Sequence, residues 1–486
     1  MKNDTIAAIA TGMTNSGIGI VRISGEDAIE IVDKIYQSKS GQYCFHKFKS
    51  HTVHYGYIVD RGNLNDISMD KSGENSINEN KIIDEVMVSL MKAPNSYTTE
   101  DTVEINCHGG ILMVRRILET VIKNGARLAA PGEFTKRAFL NGRIDLSEAE
   151  AVMDIISSKN KFALENSMEQ LKGSVSNMIK KLRDDILYEI AFIESALDDP
   201  EHISLEGYHE KLSDKTENIL SCLQKLLDSA ENGEILKEGI RTVIVGKPNA
   251  GKSSLLNRLV GEEKAIVTDI AGTTRDVLQE SICLNGIHLN VIDTAGIRYT
   301  EDTVEKIGVE KARKYAKEAD LIVYVMDVSV PLNESDFDII HMISDKNFII
   351  LLNKSDLNHF INEEIIRHEI ESRYGKDFFD KIYFIETSMK EDKGIDELEE
   401  IIKKMFFKGD ISFNDEVIIT NLRHKEAIMD AYDSMIQVKK SLEENMPEDF
   451  YSIDLMSSYA SLGKIIGEEV GEDLVNEIFS KFCMGK

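Results

Sequence analysis

Apolar and polar positions follow different periods along this chain, and the periods divide it. Up to about residue 142 the pattern is mixed. Alternation over 18–23 predicts a strand, 85–90 and 102–107 read as strands too, and three- and four-residue apolar steps over 112–122 predict a helix. The stretch 61–81 is rich in Asn, Asp and Ser and reads as a mobile surface insertion. From Leu146 to about Lys237 the pattern is helical. Leu171, Val175, Met178, Leu182, Ile186, Ile190 and Ile193 predict one long amphipathic helix, broken at Asp198-Asp199-Pro200, with its acidic residues on a solvated face. Helical spacing returns over 424–442 and 455–482. Between these blocks, 239–408 alternates strand and helix. The economical reading is an α/β and all-α multidomain chain. Its parts are an N-terminal α+β domain (1–142), a discontinuous helical domain (143–238 and 409–486) and an inserted α/β domain (239–408).

Composition narrows the class. A length of 486 residues suggests about three domains. Apolar content of 42% with 29% charge is that of a soluble globular protein, and no apolar run is long enough to span a bilayer. The start, Met1-Lys2-Asn3-Asp4, is polar and leads into a strand, so no leader peptide is expected. Cys44, Cys107, Cys222, Cys283 and Cys483 are scattered without metal-ligand spacing and read as free thiols of a reducing cytoplasm. A formal net charge of −28 argues against a protein that coats nucleic acid. Any RNA contact needs a local basic patch or a partner's surface.

The α/β region carries the chemistry. Gly246-Lys247-Pro248-Asn249-Ala250-Gly251-Lys252-Ser253 has the phosphate-loop spacing, after a predicted strand over 241–245 and before a helix that Ser254 opens. The glycines let successive N–H groups face phosphate oxygens, Lys252 reaches the outer phosphates, and the Ser253 hydroxyl suits magnesium. Thr268, Asp269, Ile270, Ala271, Gly272, Thr273 and Thr274 follow at switch-loop distance. Asn285-Gly286 predicts a tight hairpin. Its second strand ends in Asp293-Thr294-Ala295-Gly296, the D-x-x-G that meets magnesium through water and the γ-phosphate through its glycine. Buried strands over 321–326 and 348–352 come next, the latter ending in Asn353-Lys354-Ser355-Asp356. An aspartate there accepts the guanine N1–H and 2-amino donors, so GTP is selected over ATP. Ser388, Met389 and Lys390 resemble the backbone contact to the base.

Where Ras-like proteins place a water-orienting Gln after D-x-x-G, this chain has Ile297. Asn249 and the Gly272-Thr273-Thr274 turn are candidates to hold a cation beside the phosphates, and Glu301, Asp302 and Glu305 lie downstream. His108, between a strand and a helix, reads as a capping or packing residue. Arg22 and Glu104 alone read as a surface ion pair, and Cys483 alone as a buried small side chain.

The runs T-D-I-A-G-T-T-R-D, D-T-A-G-I-R, V-R-I-S-G, P-G-E-F-T-K-R-A-F-L-N-G and the terminal F-C-M-G-K together resemble the tRNA modification GTPase MnmE (TrmE) family over nearly the full length. The resemblance implies a folate-binding N-terminal domain, a discontinuous helical domain and an inserted Ras-like P-loop G domain. It implies a homodimer joined through the N-terminal domains. A flavoprotein partner, MnmG (GidA), is implied as well, as is modification at C5 of the wobble uridine in the tRNA anticodon loop. By motif, Ser253 and Thr274 would ligate Mg2+. Asn249, Thr268, Ile270 and Thr273 would ligate K+, and Glu305 would orient the hydrolytic water. Arg22, Glu104, Arg143 and Lys486 would bind 5,10-methylene- or 5-formyl-tetrahydrofolate, with Cys483 nearby in a one-carbon or redox role. Arg143 stands where the family also uses Lys, and 61–81 is longer than the family suggests. The other reading, a GTP-dependent switch in ribosome assembly, usually brings a basic RNA-binding domain, which this acidic chain does not show. Asp356 disfavours an ATPase.

Overall fold

The computed structural model describes residues 4–39, 44–60, 81–158, 160–202, 206–261, 279–284, 287–293, 315–374, 382–406, 417–483 and 485. Two compact units emerge. One comprises Met1–Met153, Gln170–Ile179 and Leu462–Lys486; the other comprises Asp154–Glu169 and Lys180–Ser461.

The first unit is built on a seven-stranded sheet. Its strands are β1 (Ile6–Ile9), β2 (Ile18–Ser24), β3 (Tyr36–Ser38), β4 (Thr52–Asp60), β5 (Lys81–Met91), β6 (Thr102–His108) and β7 (Arg127–Leu128). They lie in the order β3-β4-β5-β6-β2-β1-β7, antiparallel except for β1 with β7. Helices α1 (Ala28–Ile35) and α2 (Ile111–Lys123) cover one face, burying Ile31, Val32, Ile35, Ile117 and Val121 against Val21, Ile23, Val88 and Ile105. Alternation sends Arg22 and Glu104 to the other face, directly opposite one another on β2 and β6. Lys81 opens β5, so the polar insertion stops one residue short of its expected end; residues 61–80 lie outside the described residues.

Helices α3 (Glu133–Leu140), α4 (Leu146–Ser157), α5 (Lys161–Leu171), α6 (Ser174–Asp198) and α7 (Tyr208–Glu238) follow. The expected apolar stripe is buried on α6 at Val175, Leu182, Ile186 and Ile193. Leu171 is not on that helix. It ends α5, because Gly173, with φ +90°, turns the chain between the two. Glu189 departs from the solvated acidic face. It is buried and accepts the Tyr208 hydroxyl at 2.8 Å; burial first, then this carboxylate, pushes the phenol well above its usual range.

The second unit holds a six-stranded sheet of β8 (Ile240–Val245), β9 (Gln279–Leu284), β10 (Ile287–Asp293), β11 (Leu321–Asp327), β12 (Phe348–Asn353) and β13 (Ile382–Glu386). Its order is β13-β12-β11-β8-β10-β9, parallel except for β9. β11 and β12 are near-continuous apolar runs because helices sheathe both faces. These helices include α8 (Lys252–Gly261), α9 (Glu334–Ile343), α10 (Glu363–Tyr374) and α11 (Ile395–Phe406). Leu284 pairs with Ile287 across the expected hairpin, whose Asn285 and Gly286 lie outside the described residues. Beyond the sheet, α12 (Leu422–Glu443) packs along α7, then α13 (Glu448–Ile466) and α14 (Glu472–Ser480) close the chain. The pattern over 455–482 therefore forms two helices. Gly467 parts them at φ +90°, where a Cβ would come 2.8 Å from Phe139. Among the described residues no helix is long and apolar enough to cross a membrane.

Candidate functional site

The parallel strands β8, β11 and β12 end together, and the phosphate loop leaves from the first of them. At Gly246 a Cβ would approach the Val325 carbonyl to 2.4 Å, so glycine is required by close passage of β11. Asn249 takes the left-handed conformation at φ 61°, which Asn tolerates better than most residues. Gly251, at φ +108°, leaves room for the Asn353 amide, which a Cβ would meet at 2.1 Å. The loop then enters α8 at Lys252, so free N–H groups and the helix dipole face the space in front of it. Lys252 Nζ donates to the carbonyls of Gly246 at 2.8 Å and Lys247 at 2.7 Å, arching back over its own loop. Ser253 and Ser254 are exposed in the first turn of α8, while Ala250 is buried.

The base-reading motif is fastened to that loop. Asn353 Nδ2 donates to the Ala250 carbonyl at 2.8 Å in a buried bond, and its Oδ1 accepts from Thr387 at 3.4 Å. Lys354, at φ 65°, pairs with the Asp327 carboxylate at the end of β11. Burial pushes the Asp327 carboxyl up, but Lys354 and Ser329 outweigh it and hold the group below the usual range. Asp356 is mostly buried and accepts from Ser388 Oγ at 2.9 Å, with Lys390 Nζ 3.9 Å away. Met389 is half-buried against the sheet's core. The structure thus brings Asn249, Ala250, Gly251, Lys252, Ser253, Asn353, Lys354, Asp356, Ser388 and Lys390 to one end of the sheet. Asp293 ends β10 in register with Ile244, so its backbone reaches the same end. Thr268, Asp269, Ile270, Ala271, Gly272, Thr273, Thr274, Thr294, Ala295, Gly296, Ile297, Glu301, Asp302 and Glu305 lie outside the described residues.

Asp336 escaped sequence reasoning. It is a buried carboxylate at the third position of α9, where it accepts the Asn333 N–H at 2.9 Å in a capping box. The spacing Asn333-x-x-Asp336 announces a helix start, but nothing in it announces the further ion pair with Lys247 of the phosphate loop.

A second polar site lies in the first unit. Arg22 Nε donates to Glu104 Oε1 at 2.8 Å, with both side chains largely buried, so this is more than a surface pair. The Arg22 guanidinium lies 5.4 Å from the Tyr97 ring centre and 5.6 Å from that of Phe134. Arg143 sits 4.5 Å from the same Tyr97 ring. The C-terminal tail arrives here too: Arg22 Nη1 donates to the Gly485 carbonyl at 3.2 Å, and the Gly132 N–H to the Cys483 carbonyl at 3.4 Å. Gly485 has φ +88°, and a Cβ on it would fall 2.2 Å from the Ile9 carbonyl. Cys483 is exposed, contrary to the expectation from its residue type, because its neighbour Phe482 takes the buried place. Lys486 lies outside the described residues. His108 neither caps α2 nor packs: Gly110 precedes that helix, and the exposed imidazole meets the buried Asp84 at 2.7 Å through Nδ1. Cys44, Cys107, Cys222 and Cys483 are free thiols; Cys107 is buried, and burial raises its pKa to about 11.

Comparison with known proteins adds a family. The model described as GTP-binding protein TrmE N-terminus matches residues 5–143, and that of the MnmE helical domain matches 146–483. The chain is 56% identical over 486 residues to the tRNA modification GTPase MnmE of Lachnoclostridium phytofermentans, covering 100% of both chains. It is 48% identical to that of Clostridioides difficile, covering 100% of this chain and 99% of the relative. Among solved structures, a point variant of Aquifex aeolicus Era bound to GDP·AlF4− is 28% identical over 41% of this chain and 67% of its own, with TM-score 0.27. The G domain of the T. maritima FeoB iron transporter is 28% identical over 34% and 97%, with TM-score 0.25.

Proposed function

The chain belongs to the MnmE (TrmE) family of tRNA modification GTPases, and from that premise we propose a division of labour between its two polar sites. The α/β region hydrolyses GTP to GDP and phosphate. The Arg22 site binds a tetrahydrofolate whose one-carbon unit, with the flavoprotein partner MnmG (GidA), reaches C5 of the wobble uridine as a carboxymethylaminomethyl or aminomethyl group. Folate binding is carried by one observation: Arg22, Tyr97, Glu104, Arg143 and the tail at Gly485, far apart in the chain, converge on one sheet face. A pterin offers ring N–H donors to Glu104, and the folate's glutamate carboxylates suit the guanidinium groups, joined by Lys486. Cys483, whose carbonyl accepts the Gly132 N–H, keeps an exposed thiol.

At the G domain the described groups are assigned the following roles, and Thr268, Ile270, Thr273, Thr274 and Glu305 enter by motif alone. The N–H groups from Asn249 to Ser254 bind phosphate oxygens. Lys252 exchanges two loop carbonyls for the outer phosphates. Asp356, held by Ser388, accepts the guanine N1–H and 2-amino donors. The exposed Ser253 hydroxyl would hold Mg2+, with Thr274 by motif, and the exposed Asn249 carboxamide would hold K+, with Thr268, Ile270 and Thr273 by motif. K+ held by these residues would supply the positive charge that an arginine finger contributes elsewhere. Glu305 orients the attacking water in place of the absent Gln.

The exposed apolar residues Val53, Tyr55 and Met87 on the sheet face away from α1 and α2 support a homodimer through this unit. The acidic chain meets the tRNA anticodon loop mainly through the complex, in the cytoplasm, without a membrane. Nucleoside analysis of total tRNA from cells lacking this chain tests the proposal. Loss of the modified wobble uridine, restored by the wild type but not by Glu104→Ala, supports it; full restoration by that variant moves the folate site elsewhere.

A further inference from the structure

Lys247 is a second cation in the phosphate loop, five residues before Lys252. Its ammonium pairs with Asp336, whose side chain is 5% exposed. Asp336 is also fixed from two other directions. Tyr324, wholly buried on β11, donates its hydroxyl to Oδ1 at 2.7 Å, and the Asn333 N–H donates to Oδ2 at 2.9 Å. Burial first, then the neighbouring carboxylate, drives the Tyr324 phenol far above its usual range, so it stays a donor. Tyr324 in turn pairs in register with Val245, the last residue before the loop.

The phosphate loop is therefore anchored twice. Asn353 holds it at Ala250. Asp336 holds it at Lys247, whose carbonyl also receives the Ala250 N–H at 3.3 Å and Lys252 Nζ at 2.7 Å. Between the anchors run only Pro248 and Asn249, the latter in the left-handed conformation. Beside this turn lies a cavity of about 180 Å³ lined by Lys247, Pro248, Asn249, Val325, Asp336 and Ile361. Without the Lys247 anchor the turn has this space to move into.

We infer that Lys247 and Asp336 are positioning residues for GTP hydrolysis, a clamp that holds the Pro248–Asn249 turn in its catalytic shape. The inference rests on the GTPase activity alone. Lys252 and Asp356, which carry most nucleotide binding, have their own supports. Loss of the clamp therefore acts on the turnover rate, where small misplacements are costly.

Single-turnover and steady-state hydrolysis by the full chain decide it, with GDP affinity measured alongside. Lys247→Met is expected to lower kcat by about tenfold or more while KM and GDP affinity stay within about twofold. Lys247→Arg, which keeps the charge, should recover most of the rate. Asp336→Asn should fall as Lys247→Met does, and the double variant should be no slower than the slower single, as expected of one shared interaction. An unchanged kcat in Lys247→Met overturns the clamp. So does a parallel loss of GDP affinity, which would make Lys247 a phosphate ligand, and so do additive effects in the double variant.

Discussion

At the phosphate loop the ligand-facing groups are main-chain N–H donors set by backbone shape, with Gly246, Asn249 and Gly251 supplying conformations that few other residues allow. At the Arg22 site the converging groups are side chains from β2, β6 and the turn after α3, with the tail joining them through the Gly485 carbonyl. A site made of backbone is rigid and short in sequence, and away from its anchors at Asn353 and Asp336 it tolerates distant substitutions. A site made of converging side chains depends on every segment that contributes, and on the tail above all. The two should therefore fail independently, and the experiments below are chosen to find where they do not.

The largest effect is expected at the G domain. Replacing potassium by sodium at matched ionic strength should slow GTP hydrolysis by a factor approaching the roughly 10³–10⁵ that an arginine finger contributes. Asn249→Ala should remove most of that difference. Equal rates of the wild type in the two salts refute the cation assignment and leave the absent Gln without a substitute. Nothing at the Arg22 site should respond to the exchange.

Next comes base selection. Asp356→Asn removes an acceptor of two charge-assisted hydrogen bonds, each worth about 1.5–3 kcal/mol, so GTP should bind at least about two orders of magnitude more weakly. Xanthosine triphosphate should gain affinity in compensation, because its C2 carbonyl can accept from the new amide. Competition binding measures both, and an unchanged GTP affinity defeats the assignment.

This contrast also explains what could be read in advance. The strand–loop–helix of 240–261 and the N-K-x-D at Asn353 were legible because backbone turns leave their signature in neighbouring residues. The inward bond from Asn353 to Ala250, the Asp336–Lys247 pair and the buried Glu189–Tyr208 pair were not legible. Each joins segments whose approach only the fold decides. On residues alone Arg22 and Glu104 read as a surface ion pair, since strand register, not spacing, sets them side by side; only the family resemblance gives them a ligand. Cys483 departs from the burial usual for its residue type, and its neighbour Phe482 is the buried one.

A smaller effect separates the two sites directly. Glu104→Ala deletes a carboxylate partner worth about 1.5–3 kcal/mol to a ligand donor. Binding of 5-formyltetrahydrofolate, followed by calorimetry, should weaken by roughly tenfold or more. GTP affinity and hydrolysis should be unaltered, because Glu104 lies in the other compact unit. Normal folate binding would return Glu104 to a structural role, and a matching fall in GTP hydrolysis would show that the two sites do not fail independently.

The smallest effect concerns what holds the second site's support in place. α3 sets Phe134 beneath Arg22, and its first turn is tied down by charge: Arg127 bridges Asp4 at 2.7 Å and Glu133 at 2.6 Å, and Arg137 joins both. Arg127 hydrogen-bonds to Asp4 and holds its carboxyl below the usual range. For Glu133, burial pushes upward, but Arg127 and the Ala130 N–H outweigh it, and the net shift is again downward. Carboxylates with depressed folded-state pKa values stabilise the fold above their unfolded values, and that stability is lost as pH falls through the folded ones. The ties are thus complete near neutrality and fade below about pH 4.5, the ordinary range of a glutamate. Arg127 is about half exposed, so its removal should cost no more than about 1 kcal/mol at neutral pH. Arg127→Ala should accordingly melt slightly below the wild type at pH 7, and the two melting curves should converge as pH is lowered toward 3.5, followed by calorimetry on the full chain. A gap of constant size across that range would mean that Arg127 contributes through the packing of its aliphatic stem, and that the support of the second site is not held by charge.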